Sequence, residues 1–178
     1  VLSGLKSYVC LPDEGSVLVF DPLAFVPLDM IDTNQWTVYD PRDCALSPDG
    51  DALYVTRRSG NFPSLLILDS ATNGLIKALS LGNYSQNIAF TPDGAKAYIP
   101  VRNSNNVTVI DTATSEVLRT IPTTSQPYYI VVNPCNNRAY VSYRNYSQVS
   151  VIDTVSDTLI YNIYDFDCSI DSMVVSPE

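Results

Sequence analysis

The 178-residue chain contains no histidine. A Ser-His-Asp or Cys-His nucleophile system is therefore excluded, and so is copper or haem ligation through imidazole. Cations are scarce as well: 10 Lys and Arg stand against 19 Asp and Glu, giving a formal net charge of −9 and a pI near 4.2. Nucleic-acid binding rests on neutralising phosphates with Lys and Arg, so nucleic acid is not expected as a partner. The balance suits a solvated extracellular surface. No stretch approaches the roughly 18 apolar residues needed to cross a bilayer, so no membrane span is expected. The four cysteines, Cys10, Cys44, Cys135 and Cys168, show neither Cys-x-x-Cys nor any other metal-ligand spacing. Zinc is not expected, and no cofactor is called for.

What the chain does have is repetition. Tyr8, Tyr54, Tyr98 and Tyr140 are spaced 46, 44 and 42 residues apart. Asp21, Asp69, Asp111 and Asp153 follow at 48, 42 and 42, and Pro48, Pro92, Pro134 and Pro177 at 44, 42 and 43. Three anchors keeping one phase, with several short strands and no helix signal per period, predict an all-β propeller of four-stranded antiparallel blades. The second unit reads as strands at 44–47, 52–56, 65–69 and 75–80, labelled a to d from the axis outward. Pro48-Asp49-Gly50-Asp51 supplies the first hairpin turn. The third unit repeats the set at 88–91, 97–101, 107–111 and 117–121. About four units are expected in a single domain spanning 1–178, at approximately 1–42, 43–85, 86–127 and 128–169, with a last strand in 170–178.

The run Thr91-Pro92-Asp93-Gly94, Ala97-Tyr98-Ile99, Val107-Thr108-Val109-Ile110-Asp111-Thr112-Ala113-Thr114 and Thr120-Ile121 resembles the YVTN β-propeller repeat of surface-layer-type proteins. The resemblance covers essentially the whole chain and is clearest in units two to four. It departs from the pattern in the first unit, at Val17-Leu18-Val19-Phe20-Asp21-Pro22, and in having Arg57, Val101 and Tyr143 where the family's usual Asn follows Tyr-Val-Thr. It implies the fold and cell-surface or secreted placement. Related propellers include lactonases and quinoprotein subunits, so it implies no single activity.

The phase of the repeat adds a further expectation. The chain opens in a b strand (6–10) and ends in a fresh a strand (173–176), so pairing the last strand with the first would close a four-blade ring without exposed edges. Half of a larger ring, a dimerising half and a segment of a longer protein are the alternatives. Val1 stands where an initiating Met would, which reads as a processed or domain boundary.

Three Asn-x-Ser/Thr sequons, at Asn83, Asn106 and Asn145, fall at the d–a and b–c connections, on one face of the ring, and support a secreted glycoprotein. Turn chemistry alone would also place Asn there. A Cys10–Cys168 bridge would lock the seam of a closed ring, and a Cys10–Cys44 bridge between neighbouring blades competes with it. Buried thiols at Cys10 and Cys44 are the plainer reading, and Cys135 is expected to be free or paired with another chain. Asp69, Asp111 and Asp153 each end a c strand before a Thr/Ser-rich turn, where an Asp accepts backbone N–H bonds two residues on. They read as structural.

Arg58, Arg102 and Arg144 each follow the blade tyrosine by four residues, so the repeat sets them at matching points of one face; the first unit has Pro12 instead. Such a set would hold a glycan carboxylate or sulfate, or else form inter-blade ion pairs with Asp40, Asp43, Asp165, Asp167 or Asp171. Tyr128, Tyr129, Tyr143, Tyr146, Tyr161 and Tyr164 offer stacking surfaces, or simply the aromatics that strands select. The a strands read mostly apolar, which argues against a carboxylate-bound metal in the channel. The reading is a non-catalytic structural or adhesive module of a secreted or cell-surface glycoprotein. Its expected partners are other protein domains, copies of itself or extracellular glycan. Acidic-glycan recognition and a metal-dependent lactonase are the alternatives.

Overall fold

A computed structural model describes residues 5–36, 39–58, 63–164 and 170–176. Its strands fall into four antiparallel sheets, each a meander in chain order. The first is β1 (Ser7–Leu11), β2 (Ser16–Asp21) and β3 (Val26–Asp32). The second is β4 (Pro41–Leu46), β5 (Ala52–Arg57), β6 (Leu65–Asp69) and β7 (Leu75–Leu79). The third is β8 (Ala89–Phe90), β9 (Lys96–Val101), β10 (Asn106–Asp111) and β11 (Glu116–Pro122). The fourth is β12 (Pro127–Asn133), β13 (Arg138–Tyr143), β14 (Tyr146–Asp153) and β15 (Thr158–Ile163). The repeat units are thus four blades, the first of them with three strands among the described residues.

Turn chemistry makes the hairpins. At the a–b turn of the second blade, the Ser47 hydroxyl donates to Asp49 Oδ1 at 2.5 Å and the Ala52 N–H donates to Ser47 Oγ at 3.0 Å. Thr91, Asp93 and Lys96 repeat the arrangement one blade on. Gly50 and Gly94 close these turns at φ 84° and 72°, a region where a Cβ is strained. Each c–d pair carries a register irregularity at one matching place, Val19/Phe20, Ile67/Leu68, Val109/Ile110 and Val151/Ile152. Bulges of this kind add right-handed twist, which turns the outer strand away from its neighbours.

Period-two alternation sends successive side chains to opposite faces, so the second and third sheets bury both and the first and fourth bury one against a neighbour. Three cores result. Val17, Val19 and Ile31 meet Leu53, Val55, Leu66 and Leu68 between the first and second blades. Tyr54, Leu65 and Ile67 meet Ile88, Ala97, Ile99 and Ile110 between the second and third. Tyr98, Val107, Val109 and Ile121 meet Ile130, Ala139, Val141, Tyr143 and Ile152 between the third and fourth. Among the described residues no such cluster joins the fourth blade to the first.

Two expectations change. Residues 173–176 form no strand: a ladder needs a partner, β1 pairs only with β2 among the described residues, and Val174 is 92% exposed. Tyr143 is no surface aromatic. It ends β13 fully buried in the third core, its hydroxyl 2.6 Å from Ser150 Oγ.

Candidate functional site

Polar residues at or just ahead of the inner strands β4, β8 and β12 converge at one mouth of the axis. A cavity of about 250 Å³ there is lined by Arg42, Asp43, Gln86, Asn87, Tyr128, Tyr129 and Asp171. The repeat explains the gathering, because Asp43, Asn87, Tyr129 and Asp171 are successive equivalents, 44, 42 and 42 residues apart. The reading of strand a as apolar missed it. The signal lay one or two residues upstream of each apolar run, where 42–43, 86–87, 128–129 and 170–171 share a phase.

Most of these groups are engaged in holding blades together. Asn87 clamps the fourth blade by donating from Nδ2 to the Ile130 carbonyl at 2.8 Å and accepting the Ile130 N–H on Oδ1 at 2.9 Å. Asp43 Oδ2 accepts the Ile88 N–H at 3.1 Å in the same way, one blade earlier. Burial raises the Asp43 carboxyl above its ordinary range, against the pull of the Ile88 and Cys44 N–H groups and the Arg42 charge. Arg42 donates to the Tyr128 hydroxyl across the mouth at 3.0 Å.

The arginine series lies on this face, but its members do different things. Arg144 stacks over the Tyr128 ring, 5.2 Å from the centroid, and so adjoins the cavity. Arg102 donates from Nε to Gln126 Oε1 at 3.0 Å, and exposed Arg58 has its N–H on the Asp40 carbonyl. None of the three forms an ion pair among the described residues. Asp165 and Asp167 lie outside those residues. Tyr128 and Tyr129 are half-buried, while Tyr146, Tyr161 and Tyr164 are 51%, 63% and 62% exposed. Of the sequon asparagines, Asn83 and Asn145 are exposed. Asn106 is half-buried at the start of β10, its amide donating to the Ser104 carbonyl and its Oδ1 accepting from the Thr108 hydroxyl.

Cys10 and Cys44 face each other from β1 and β4 at the edge of the first core. The Cys10 thiol donates to the Cys44 sulfur, which together with burial pushes Cys10 up; the same bond holds Cys44 down. Both are reduced thiols here. Cys168 lies outside the described residues, so its bridge to Cys10 has no structural counterpart. Cys135 is exposed in the β12–β13 turn, its N–H on Asn133 Oδ1.

The repeated aspartates are turn residues, as their sequence context predicts. Asp69 Oδ1 accepts the Thr72 N–H and hydroxyl, both at 2.7 Å; Asp111 does the same with Thr114, Asp153 with Ser156, and Asp21 with the Leu23 and Ala24 N–H groups. These donors hold all four carboxyls below the ordinary range. A depressed folded-state pKa contributes stability that is present above the unfolded value, about 3.9, and is lost as pH falls through the folded value. Asp69→Asn is therefore expected to flatten the acid limb of stability against pH below about pH 4, read as urea midpoints across a pH series. An unchanged slope would count against the assignment.

No protein-family model matches the chain, and no curated protein does. Solved structures do. The chain aligns with hydrazine synthase of Kuenenia stuttgartiensis at a TM-score of 0.67 and 28% identity, over 74% of this chain and 37% of that one. It aligns with the RRP9 WD40 repeats and with U3-55K at a TM-score of 0.62 and 10% identity, over 71% of this chain and 39% of theirs. The chain is a β-propeller. It spans less than two fifths of each of these chains. At 10% identity the WD40 alignments carry the fold alone, and a propeller fold hosts many unrelated activities.

Proposed function

We propose that this propeller is a non-catalytic structural or adhesive interaction module of a secreted or cell-surface glycoprotein, of the YVTN-repeat kind. The observation that carries the reading is how the polar side chains are used. Asp69, Asp111 and Asp153 serve turns, Asn87 and Asp43 clamp neighbouring blades, and Arg42 is bonded to Tyr128. General acid/base chemistry asks for carboxylates poised over a reacting atom; here they organise a scaffold, and what the molecule offers a partner is surface. The acidic composition and the exposed Asn83 and Asn145 support extracellular placement. In that compartment Cys10 and Cys44 join as a disulfide.

The test is expression through a eukaryotic secretory pathway, with peptide mass mapping before and after N-glycosidase. Glycan is expected at Asn83 and Asn145. Asn106 is expected to stay bare, because its side chain is half-buried and bonded and Thr108 is only 3% exposed. A secreted protein bare at all three sites, or one retained and degraded, would sink the reading.

A further inference from the structure

Two residues before each blade tyrosine the repeat sets a cation, with one exception. Lys6, Lys96 and Arg138 hold that place in the first, third and fourth blades, and Ala52 holds it in the second. The two lysines each anchor the cleft to the next blade. Lys6 Nζ donates to the Ser70 carbonyl at 2.5 Å, where the Tyr8 hydroxyl joins it at 3.4 Å. Lys96 Nζ donates to the Thr154 carbonyl at 2.9 Å and to Asp157 Oδ2 at 2.7 Å, with the Tyr98 hydroxyl on the same carbonyl and carboxylate. Ser70 and Thr154 each open the c–d turn of the next blade, directly after its repeated aspartate.

The corresponding residue of the third blade is Thr112, with Ser115 where the fourth has Asp157. A cavity of about 240 Å³ lies there, between the second and third blades, and its lining includes Asp49, Ala52, Tyr54, Asp93 and Thr112. Tyr54 is 1% exposed, yet its hydroxyl makes no hydrogen bond among the described residues, although a buried phenol ordinarily finds a partner. Burial and the charges of Asp49 and Asp111 push that hydroxyl up to about 12, so it stays protonated. Asp49 and Asp93 each use Oδ1 on their own turns, and neither is in an ion pair among the described residues. Lys96, whose charge reaches Asp93, is committed to Thr154 and Asp157 one cleft on. The cavity thus gathers two carboxylates, a turn carbonyl and an unpartnered phenol, at the one such cleft where the chain supplies no lysine.

From this we infer that the cleft between the second and third blades binds a primary ammonium group brought by a ligand, in the place that Lys6 and Lys96 fill with their own in the clefts on either side. An ammonium carries three N–H donors, which suit the Thr112 carbonyl and the Asp49 and Asp93 carboxylates. Its arrival gives the Tyr54 hydroxyl the polar neighbour that Tyr8 and Tyr98 already have. The ammonium comes on an alkyl chain, because Ala52 leaves open the room that a lysine stem takes up elsewhere. A calcium ion would ask for about six to eight oxygens, more than this cleft brings together. The site goes beyond the interaction-module reading and does not rest on it, since both blades that form it have all four strands.

Amide shifts of the isotope-labelled chain, titrated with n-butylammonium chloride at an ionic strength held constant with sodium chloride, test it. Saturable shifts in the millimolar range are expected at Asp93, Thr112 and Ala113, and none there with n-butanol. Asp93→Asn, checked as folded by circular dichroism, is expected to weaken binding about tenfold. Ala52→Lys is expected to abolish the shifts and to raise the urea midpoint, because a tethered ammonium then fills the site. A lysine blocked at its amino and carboxyl ends is the second probe. Binding as tight as that of butylammonium assigns the site to a lysine side chain of a partner protein, and weaker binding assigns it to a free small amine. Shifts that do not saturate, that n-butanol reproduces, or that persist at full strength in Asp93→Asn overturn the site.

Discussion

Asp157→Ala is expected to lower stability by about 3 kcal/mol in urea unfolding. Asp157 lies in the c–d turn of the fourth blade, yet its carboxylate belongs to the third-blade interface. It accepts from Lys96 Nζ at 2.7 Å on Oδ2 and from the Tyr98 hydroxyl on Oδ1. Its side chain is only 8% exposed, and that of Lys96 is 21% exposed. Both charges are therefore largely out of water, and removing one leaves an ammonium facing a carboxylate-sized void. Burial and the Asp157 charge raise the Tyr98 hydroxyl, so the phenol stays a donor at neutral pH. Tyr98→Phe removes one neutral donor and is expected to cost less, about 1 kcal/mol. Pairing Lys96→Met with Asp157→Ala should recover part of the loss, because no charge is then stranded. A single-variant loss of about 0.5 kcal/mol or less, the size of an ordinary surface change, would remove the triad from the account of how blades are held.

The sequence made the blades legible because the physics that sets them is local. Strand alternation, Pro-Asp-Gly turns and Asx turns each act within a few residues, and β6 falls at Leu65–Asp69, where the pattern places it. The structural role of Asp69, Asp111 and Asp153 was legible for the same reason. The axial cavity was not, because its residues come from separate blades and acquire meaning only when the repeat is wrapped about an axis. Nor does four-residue spacing from a tyrosine say what Arg58, Arg102 and Arg144 touch: Arg144 meets Tyr128 and Arg102 meets Gln126, contacts set by the neighbouring blade. Tyr143 shows the same limit. One position separates it from the exposed Arg144, and strand parity sends it into the core.

Exposure to a low-molecular-weight disulfide such as oxidised glutathione is expected to join Cys10 to Cys44 and to raise stability by roughly 3 to 4 kcal/mol on the chain-entropy model for a loop of this length. The order of events follows from the hydrogen bond between the thiols. Cys10 donates and is held protonated, so Cys44, held down by that bond, is the attacking thiolate. It attacks one sulfur of the small disulfide and expels one small thiolate, leaving a mixed disulfide on Cys44. Cys10 then gives up its proton, attacks the Cys44 sulfur and expels the second small thiol, so that two protein thiols are oxidised and one small disulfide is reduced. The two side chains already share a hydrogen bond at the rim of the first core, which sets them opposite each other for closure. The checks are a mass loss of about two hydrogens, a Cys10–Cys44 peptide pair on mapping, and a higher urea midpoint that dithiothreitol reverses. Cys44→Ser should abolish all three. A bridged peptide with no stability gain would mean that closing it distorts the β1–β4 contact, and two thiols that stay reactive under oxidant would exclude a bridge at this seam.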